Sequence, residues 1–391
     1  MQPVIASGEN TRVVLSPAPC HHISCFFIAT NLTLSTNELD RIVCKIKKNW
    51  NSDYIKMKKV KSIHYLRGVA ALLVVAYHNK QYLNEVYAQK DLGDLLFISG
   101  GFGVDLFFII SGFIIMLSSQ KKETNSPINF MTRRFFRIYP VFFICTILFF
   151  LLNPVFTESE LLRSLFLLHL DYYSEAPFFG YNVLYPAWTL TFEVYFYFIF
   201  MLAISLSHKN RLLISVIALI VPLLLIQLKF SNSLSLSSKF TIGDTGHWHI
   251  GFLNLMSSPM LLEFVYGMFL YIIHRKFKYI KNAKAISFLL VSFGVCSYFY
   301  QFRFGHGPLN FGLWAASIIT GVLLYEVNFG LRENKILSKL GDISYSLYLS
   351  HAIVMLFLIN FKDFIPLYEK PGFSKFSFII VLSLFLLQNG I

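Results

Sequence analysis

Charge is scarce in this sequence. Of 391 residues only 14% are Asp, Glu, Lys or Arg, against 55% that are hydrophobic, and the mean hydropathy is +0.57. A length that would otherwise suggest two or three soluble domains therefore reads as a chain whose main solvent is lipid. Cysteine is scarce too: five, an odd number, at Cys20, Cys25, Cys44, Cys145 and Cys296, without a repeated Cys-x-x-Cys spacing. Neither a disulfide framework nor a metal site follows from that set. Cys20, His21, His22 and Cys25 are zinc-ligand types, but that short run is set aside and no metal is expected. A continuous basic face is missing as well. The net charge of +13 sits in short Lys and Arg clusters between apolar runs, the pattern of membrane topology and not of nucleic-acid binding. Residues 1–56 lack helical periodicity and lack the basic start, apolar stretch and small-residue cleavage site of a secretory signal. They read as a disordered or spurious extension. Met57-Lys58-Lys59-Val60-Lys61 then resembles a natural start before a first span, which leaves residues 57–391 as one membrane domain.

What is present in quantity is apolar sequence in runs long enough to cross ~30 Å of hydrocarbon, about 20 residues each. Their limits predict spans near residues 62–82, 97–118, 138–153, 186–206, 211–228, 255–273, 285–302, 311–328, 343–361 and 374–391. The fold class is thus an all-α integral membrane protein of about ten transmembrane helices. Leu161 to Leu170 is too short to cross and precedes Asp171, Glu175 and Pro177, so it reads as one short re-entrant or interfacial segment. Loops left in the cytoplasm carry the Lys and Arg excess. Here the basic groups are Lys56 to Lys61; Lys121, Lys122, Arg133, Arg134 and Arg137; Lys209 and Arg211; Arg275 to Lys284; and Arg332 to Lys339. Every second loop is basic, which places both termini in the cytoplasm of a multi-pass protein. The chain stops after Gln388-Asn389-Gly390-Ile391 with no basic tail, so a truncated C-terminus is expected.

Ionisable side chains inside spans are expensive and mark candidate sites. Arg67 and His78 are eleven positions apart, three turns plus ~20°, and so share one helix face ~16 Å apart along the axis. The bland alternative is that Arg67 snorkels to headgroups and His78 sits at an interface without chemistry. Asp105 lies in Gly103-Val104-Asp105-Leu106-Phe107-Phe108, where the nearby glycines and Ser111 read as helix-packing positions. Thr189 and Glu193, four apart, share a face of the fourth span, and the Glu193 carboxylate calls for His78 or an arginine as partner. His351 in the ninth span reads first as a packing histidine, and Glu263 and Glu326 carry less weight.

The first-span run Leu66-Arg67-Gly68-Val69-Ala70-Ala71-Leu72-Leu73-Val74-Val75-Ala76-Tyr77-His78 holds Arg67, ten residues, then His78. Arg133-Arg134-Phe135-Phe136-Arg137-Ile138-Tyr139-Pro140, taken as a cytoplasmic loop, holds an Arg-x-x-Arg motif in Arg134 and Arg137. With the Asp105 run, Trp188 to Glu193, and Ile343 to His351, these blocks occur in the order seen in one family. From about Met57 to Ile391 the chain resembles the bacterial membrane-bound acyltransferases of type 3, which include O-antigen and other surface-polysaccharide acetylases and NodX-like enzymes.

The resemblance implies an O-acyltransferase of the bacterial inner membrane. Its donor would be acetyl-CoA or another acyl-CoA, and its partners membrane lipid and a carbohydrate or lipid-linked glycan acceptor. A hydroxyl is a poor nucleophile near neutral pH, so His78 is cast as general base, with Glu193 or Asp105 to orient or balance it. Arg67, Arg134 and Arg137 are cast as holding the anionic part of CoA, because guanidinium forks suit phosphate. An acyl-histidine intermediate stays open as an alternative. The competing class is a transporter or flippase using Arg67, His78, Asp105 and Glu193 as a polar path, although the halves carry no inverted repeat. A non-catalytic assembly partner, indifferent to loss of His78, is the third.

Overall fold

The computed structural model describes residues 60–242, 248–365 and 372–388. The expectations for residues 1–56, for Met57 as the start, for Cys20 to Cys25 and for the end at residues 389–391 lie outside them. Lipid offers no hydrogen-bond partners to an open backbone, so long apolar runs close their bonds internally as helices. Among the described residues the secondary structure is helical throughout. The helices are α1 (Lys61–Asn79), α2 (Leu92–Phe97), α3 (Gly103–Ser118), α4 (Ser126–Leu152) and α5 (Glu158–Leu165). They continue with α6 (Trp188–Leu206), α7 (Arg211–Ser231), α8 (Trp248–Met256) and α9 (Leu261–Ile273). The last are α10 (Ala283–Tyr300), α11 (Phe311–Phe329), α12 (Lys335–Asn360) and α13 (Phe373–Gln388). Eight helical stretches are long and apolar enough to cross a membrane. The 19-residue α1 and the 16-residue α13 occupy the first and last of the ten expected positions.

The expected 255–273 span is split between α8 and α9, and two helices start well ahead of expectation. Helix α4 begins at Ser126, well ahead of 138, so the Arg133 to Pro140 run is helix and not loop. Pro127 suits a helix start, where its missing N–H costs nothing. Phe130, Arg134 and Ile138 recur every fourth residue on the buried side, while Phe135 and Phe136 face outward, an amphipathic stripe that extends the span. Helix α12 likewise starts at Lys335, with Asn334 capping the Leu337 amide at 3.0 Å.

Side-chain pairings fix the directions of α1, α4, α6 and α12. Phe130 meets Phe200 and Phe149 meets Tyr185, so α4 and α6 run antiparallel. Nothing between them crosses: α5 has 8 residues, ~12 Å of helix at ~1.5 Å each, and its ends return to the same side. Ile138 pairs with Tyr345 and Leu152 with Asn360, making α4 parallel to α12. His64 bonds Ser338 and Arg67 bonds Ser344, so α1 is parallel to α12 as well. These directions bring the described basic groups at Lys121 to Arg137, Lys209 to Arg211 and Arg332 to Lys339 to one end of the bundle, here the basic end; the opposite is the far end.

The α1–α12 seam matters most for the site. A Cβ at Gly68 would lie 2.7 Å from Leu340 Cβ and 2.8 Å from the Gly341 amide nitrogen, and one at Gly341 would run into His64. Only glycine at both positions lets the two backbones approach this closely. That approach aims the shared Arg67–His78 face of α1 at α12.

Candidate active site

A cavity opens between α1, α3, α4, α6 and α12. Arg67 enters it from α1, Arg134 and Arg137 from α4, and Glu193 and Thr189 from α6, with Ser111 of α3 and Tyr345 and Tyr348 of α12 completing the wall. Arg134 and Arg137 stand three apart on helical backbone, which is why both reach one space. Arg67 donates to Ser344 Oγ at 3.0 Å. Arg134 donates to Ser118 Oγ at 2.7 Å, and its guanidinium lies over the Phe130 and Tyr197 rings at 5.5 and 5.2 Å. Glu193 accepts from Ser111 Oγ at 2.6 Å and from the Tyr197 hydroxyl. Three guanidinium groups against one carboxylate leave the cavity net positive, a setting for a multiply charged anion. Its free room is about 50 Å³, enough for a few waters.

His78 stands one turn beyond this cavity, toward the far end. Its Nδ1 lies 3.1 Å from the Val74 carbonyl. A carbonyl only accepts, so Nδ1 carries the hydrogen, and in the neutral ring Nε2 is left with its lone pair. The ring packs 5.1 Å from His351 and 5.2 Å from Tyr185, centroid to centroid. His351 is fully buried, and neither of its nitrogens meets a hydrogen-bond partner among the described residues. Tyr348, which donates to the Pro186 carbonyl at 2.9 Å and bonds Thr189 at 3.0 Å, forms the wall between the arginine cavity and this imidazole pair.

The six candidate residues thus fall into three places. Arg67, Arg134, Arg137 and Glu193 share the cavity. His78 is adjacent but does not line it. Asp105 is elsewhere, in the first turn of α3 at the far end, where Oδ2 accepts from His306 Nδ1 at 2.7 Å and Oδ1 from the Gly307 amide at 3.0 Å. Neither carboxylate meets His78: Glu193 is held by Ser111 and Tyr197 instead of an arginine or histidine, and both Asp105 oxygens are already engaged. The ring of His78 is oriented by its own helix. His351 packs against the His78 and Tyr185 rings, and sequence reasoning passed over His306 altogether, although a histidine between two glycines in a far-end loop was a visible signal. Among the described residues no group of three or more His, Cys, Asp or Glu side chains is arranged to hold a metal.

The sequence profile of the acyltransferase domain family matches residues 60–387. The chain belongs to the membrane-bound acyltransferases of type 3. This acyltransferase is 28% identical over 269 residues to the exopolysaccharide production protein ExoZ of Rhizobium meliloti (strain 1021), covering 66% of this chain and 78% of that one. It is 27% identical over 329 residues to the acyltransferase MdmB of Streptomyces mycarofaciens, covering 77% and 80%. A Staphylococcus aureus (strain COL) protein named as a candidate O-acetyltransferase, SACOL0978, is 25% identical over 348 residues, covering 79% of this chain and 52% of that one. No solved structure matches the chain.

Proposed function

We propose that this acyltransferase moves an acetyl group from acetyl-CoA to a hydroxyl of a surface carbohydrate, in the bacterial inner membrane with its basic end in the cytoplasm. The observation that carries the reading is the meeting of Arg67, Arg134 and Arg137 in one cavity at the basic end, on the face of α1 that ends in His78. The names of ExoZ and of the candidate O-acetyltransferase support a polysaccharide acceptor and an acetyl group. Family membership favours acyl transfer over the transporter alternative.

The arginines clamp the phosphates of CoA from the cytoplasmic side, and the pantetheine arm runs past Tyr348 toward His78. The acceptor hydroxyl arrives from the far end. His78 Nε2 takes the hydroxyl proton as the oxygen attacks the thioester carbonyl; the tetrahedral intermediate then expels the CoA thiolate, which takes the proton back from the imidazolium. The Val74 carbonyl on Nδ1 keeps Nε2 aimed at the reaction and stabilises the imidazolium formed. Glu193 serves the cavity, not the base.

The test is transfer of radiolabelled acetyl from acetyl-CoA to surface glycan in membranes holding the parent or His78→Ala at equal abundance. Loss of a positioned general base costs about 10²- to 10⁴-fold. A His78→Ala variant that transfers at the parental rate removes the base from the mechanism, and a parent that transfers nothing returns the question to the donor.

A further inference from the structure

His306 lies in the loop between α10 and α11, flanked by Gly305 and Gly307 at φ +116° and +122°. Those left-handed turns, open to glycine, fold the loop inward so that the His306 ring and the Gly307 amide together engage Asp105. Asp105 is fully buried and has both oxygens taken, so it meets no ligand itself; it fixes the ring. Glu263, also fully buried, backs Asp105 from α9. The His306 side chain remains 16% exposed, and Nε2 makes no hydrogen bond among the described residues. Beside it, Gly101 carries no side chain, and an added Cβ would be in ordinary contact with Nε2 at 3.8 Å.

Aromatic rings surround this nitrogen. Trp188 lies 5.7 Å and Phe178 5.9 Å from the His306 ring, and Tyr181 stacks on Phe178 at 5.0 Å while remaining 39% exposed. The same short segment joins this cluster to the candidate base, since Tyr185 packs on His78 and Trp188, one turn on, packs on His306. One polar atom of fixed direction beside the exposed Tyr181 ring, with Phe178 between and the buried Trp188 behind, suits a ligand with both hydroxyls and an apolar face. A pyranose ring is such a ligand, because its polarised C–H groups meet the negative faces of the rings. The Asp105 carboxylate buried against the His306 ring leaves this place without the net positive charge that an anion would need, so the ring bound here is neutral.

We infer that His306, with Phe178, Tyr181 and Trp188, forms a recognition subsite for a neutral sugar ring of the acceptor, next to the ring that receives the acyl group. This rests on the acyl-transfer reading for its biological sense, but not for its test. The parent, His306→Ala and Tyr181→Ala are placed in lipid nanodiscs and titrated, by tryptophan fluorescence, with neutral oligosaccharides released from the cell envelope by mild acid, and separately with coenzyme A. Each variant should weaken the oligosaccharides by about tenfold, the value of one good contact, and leave coenzyme A affinity at the parental value. The inference is overturned if the parent does not bind the oligosaccharides, if both variants bind them like the parent, or if sugar and coenzyme A affinities fall together. Should the sugar affinity fall as expected while the parent transfers no acetyl, the subsite stands and the reading of acetyl-CoA as donor fails.

Discussion

The two ends of this bundle handle charge in opposite ways. At the basic end three guanidinium groups from two helices converge on one small cavity, Arg67 bonded to Ser344 and Arg134 to Ser118 and the Tyr197 ring. At the far end the His306 imidazole is fixed by the buried Asp105 and presented among aromatic rings. A cluster of positive charge suits an approaching anion or headgroups, whereas a single polar tip among rings suits an uncharged ligand. The difference teaches a division of labour: a charged donor from one side, an uncharged acceptor from the other, and His78 between them.

Arg137→Ala is the sharpest attempt to break that division. A charge-assisted hydrogen bond contributes about 1.5–3 kcal/mol, so the KM for acetyl-CoA should rise roughly 10- to 100-fold while the acceptor KM stays put. Arg137→Lys should recover only part of the loss, because a point charge does not reproduce the fork. Steady-state kinetics with each substrate varied in turn decides it. An equal rise in both constants means the two ends are not separate sites.

Most of the frame was legible in the sequence because lipid forces it. Ten apolar runs became helices, and the alternation of basic loops agrees with every helix direction fixed by side-chain pairs. The shared face of Arg67 and His78 was legible too, since helical period alone sets it. What was not legible was partnership. Asp105 and His306 are 201 positions apart, and Ser111 and Glu193 are 82 apart, so no local pattern joins them. The start of α4 was missed for another reason: its first turns are amphipathic and basic, and a search for purely apolar runs stops at Ile138 although the backbone remains helical.

A smaller effect should come from the α1–α12 seam. Gly68→Ala puts a methyl 2.7 Å from Leu340 Cβ, against backbone that cannot yield without parting the helices. Overpacking of this kind costs about 1–3 kcal/mol. Because Arg67 and His78 ride on the same helix, donor KM and turnover should both worsen, unlike the selective effect of Arg137→Ala. Denaturation in detergent, followed alongside transfer, reads both; a variant with lowered stability and parental kinetics would show that the seam does not set the site.

The smallest effect separates the ends by pH. His169, in the far-end loop after α5, is fully buried among Tyr172, Phe179 and Phe192, and its Nε2 donates to the Trp188 carbonyl at 3.2 Å. Burial pushes its pKa from 6.5 down to about 3. The unfolded segment therefore takes up a proton first as the medium acidifies. The stability this neutral ring supports is complete above pH 6.5 and is lost as pH falls toward about 3, by about 1.4 kcal/mol per unit at most. Hydrogen exchange over residues 167–188, corrected for intrinsic rates, should show protection falling between pH 7 and 5.5, with amides around Arg134 and Arg137 unaffected. His169→Gln keeps a donor for Trp188 but does not titrate, so its protection should be flat over that range. A parental loss of protection that persists in His169→Gln would assign the acid sensitivity to another group, and an equal loss at both ends would mean that the far end is not an independently held platform for Trp188.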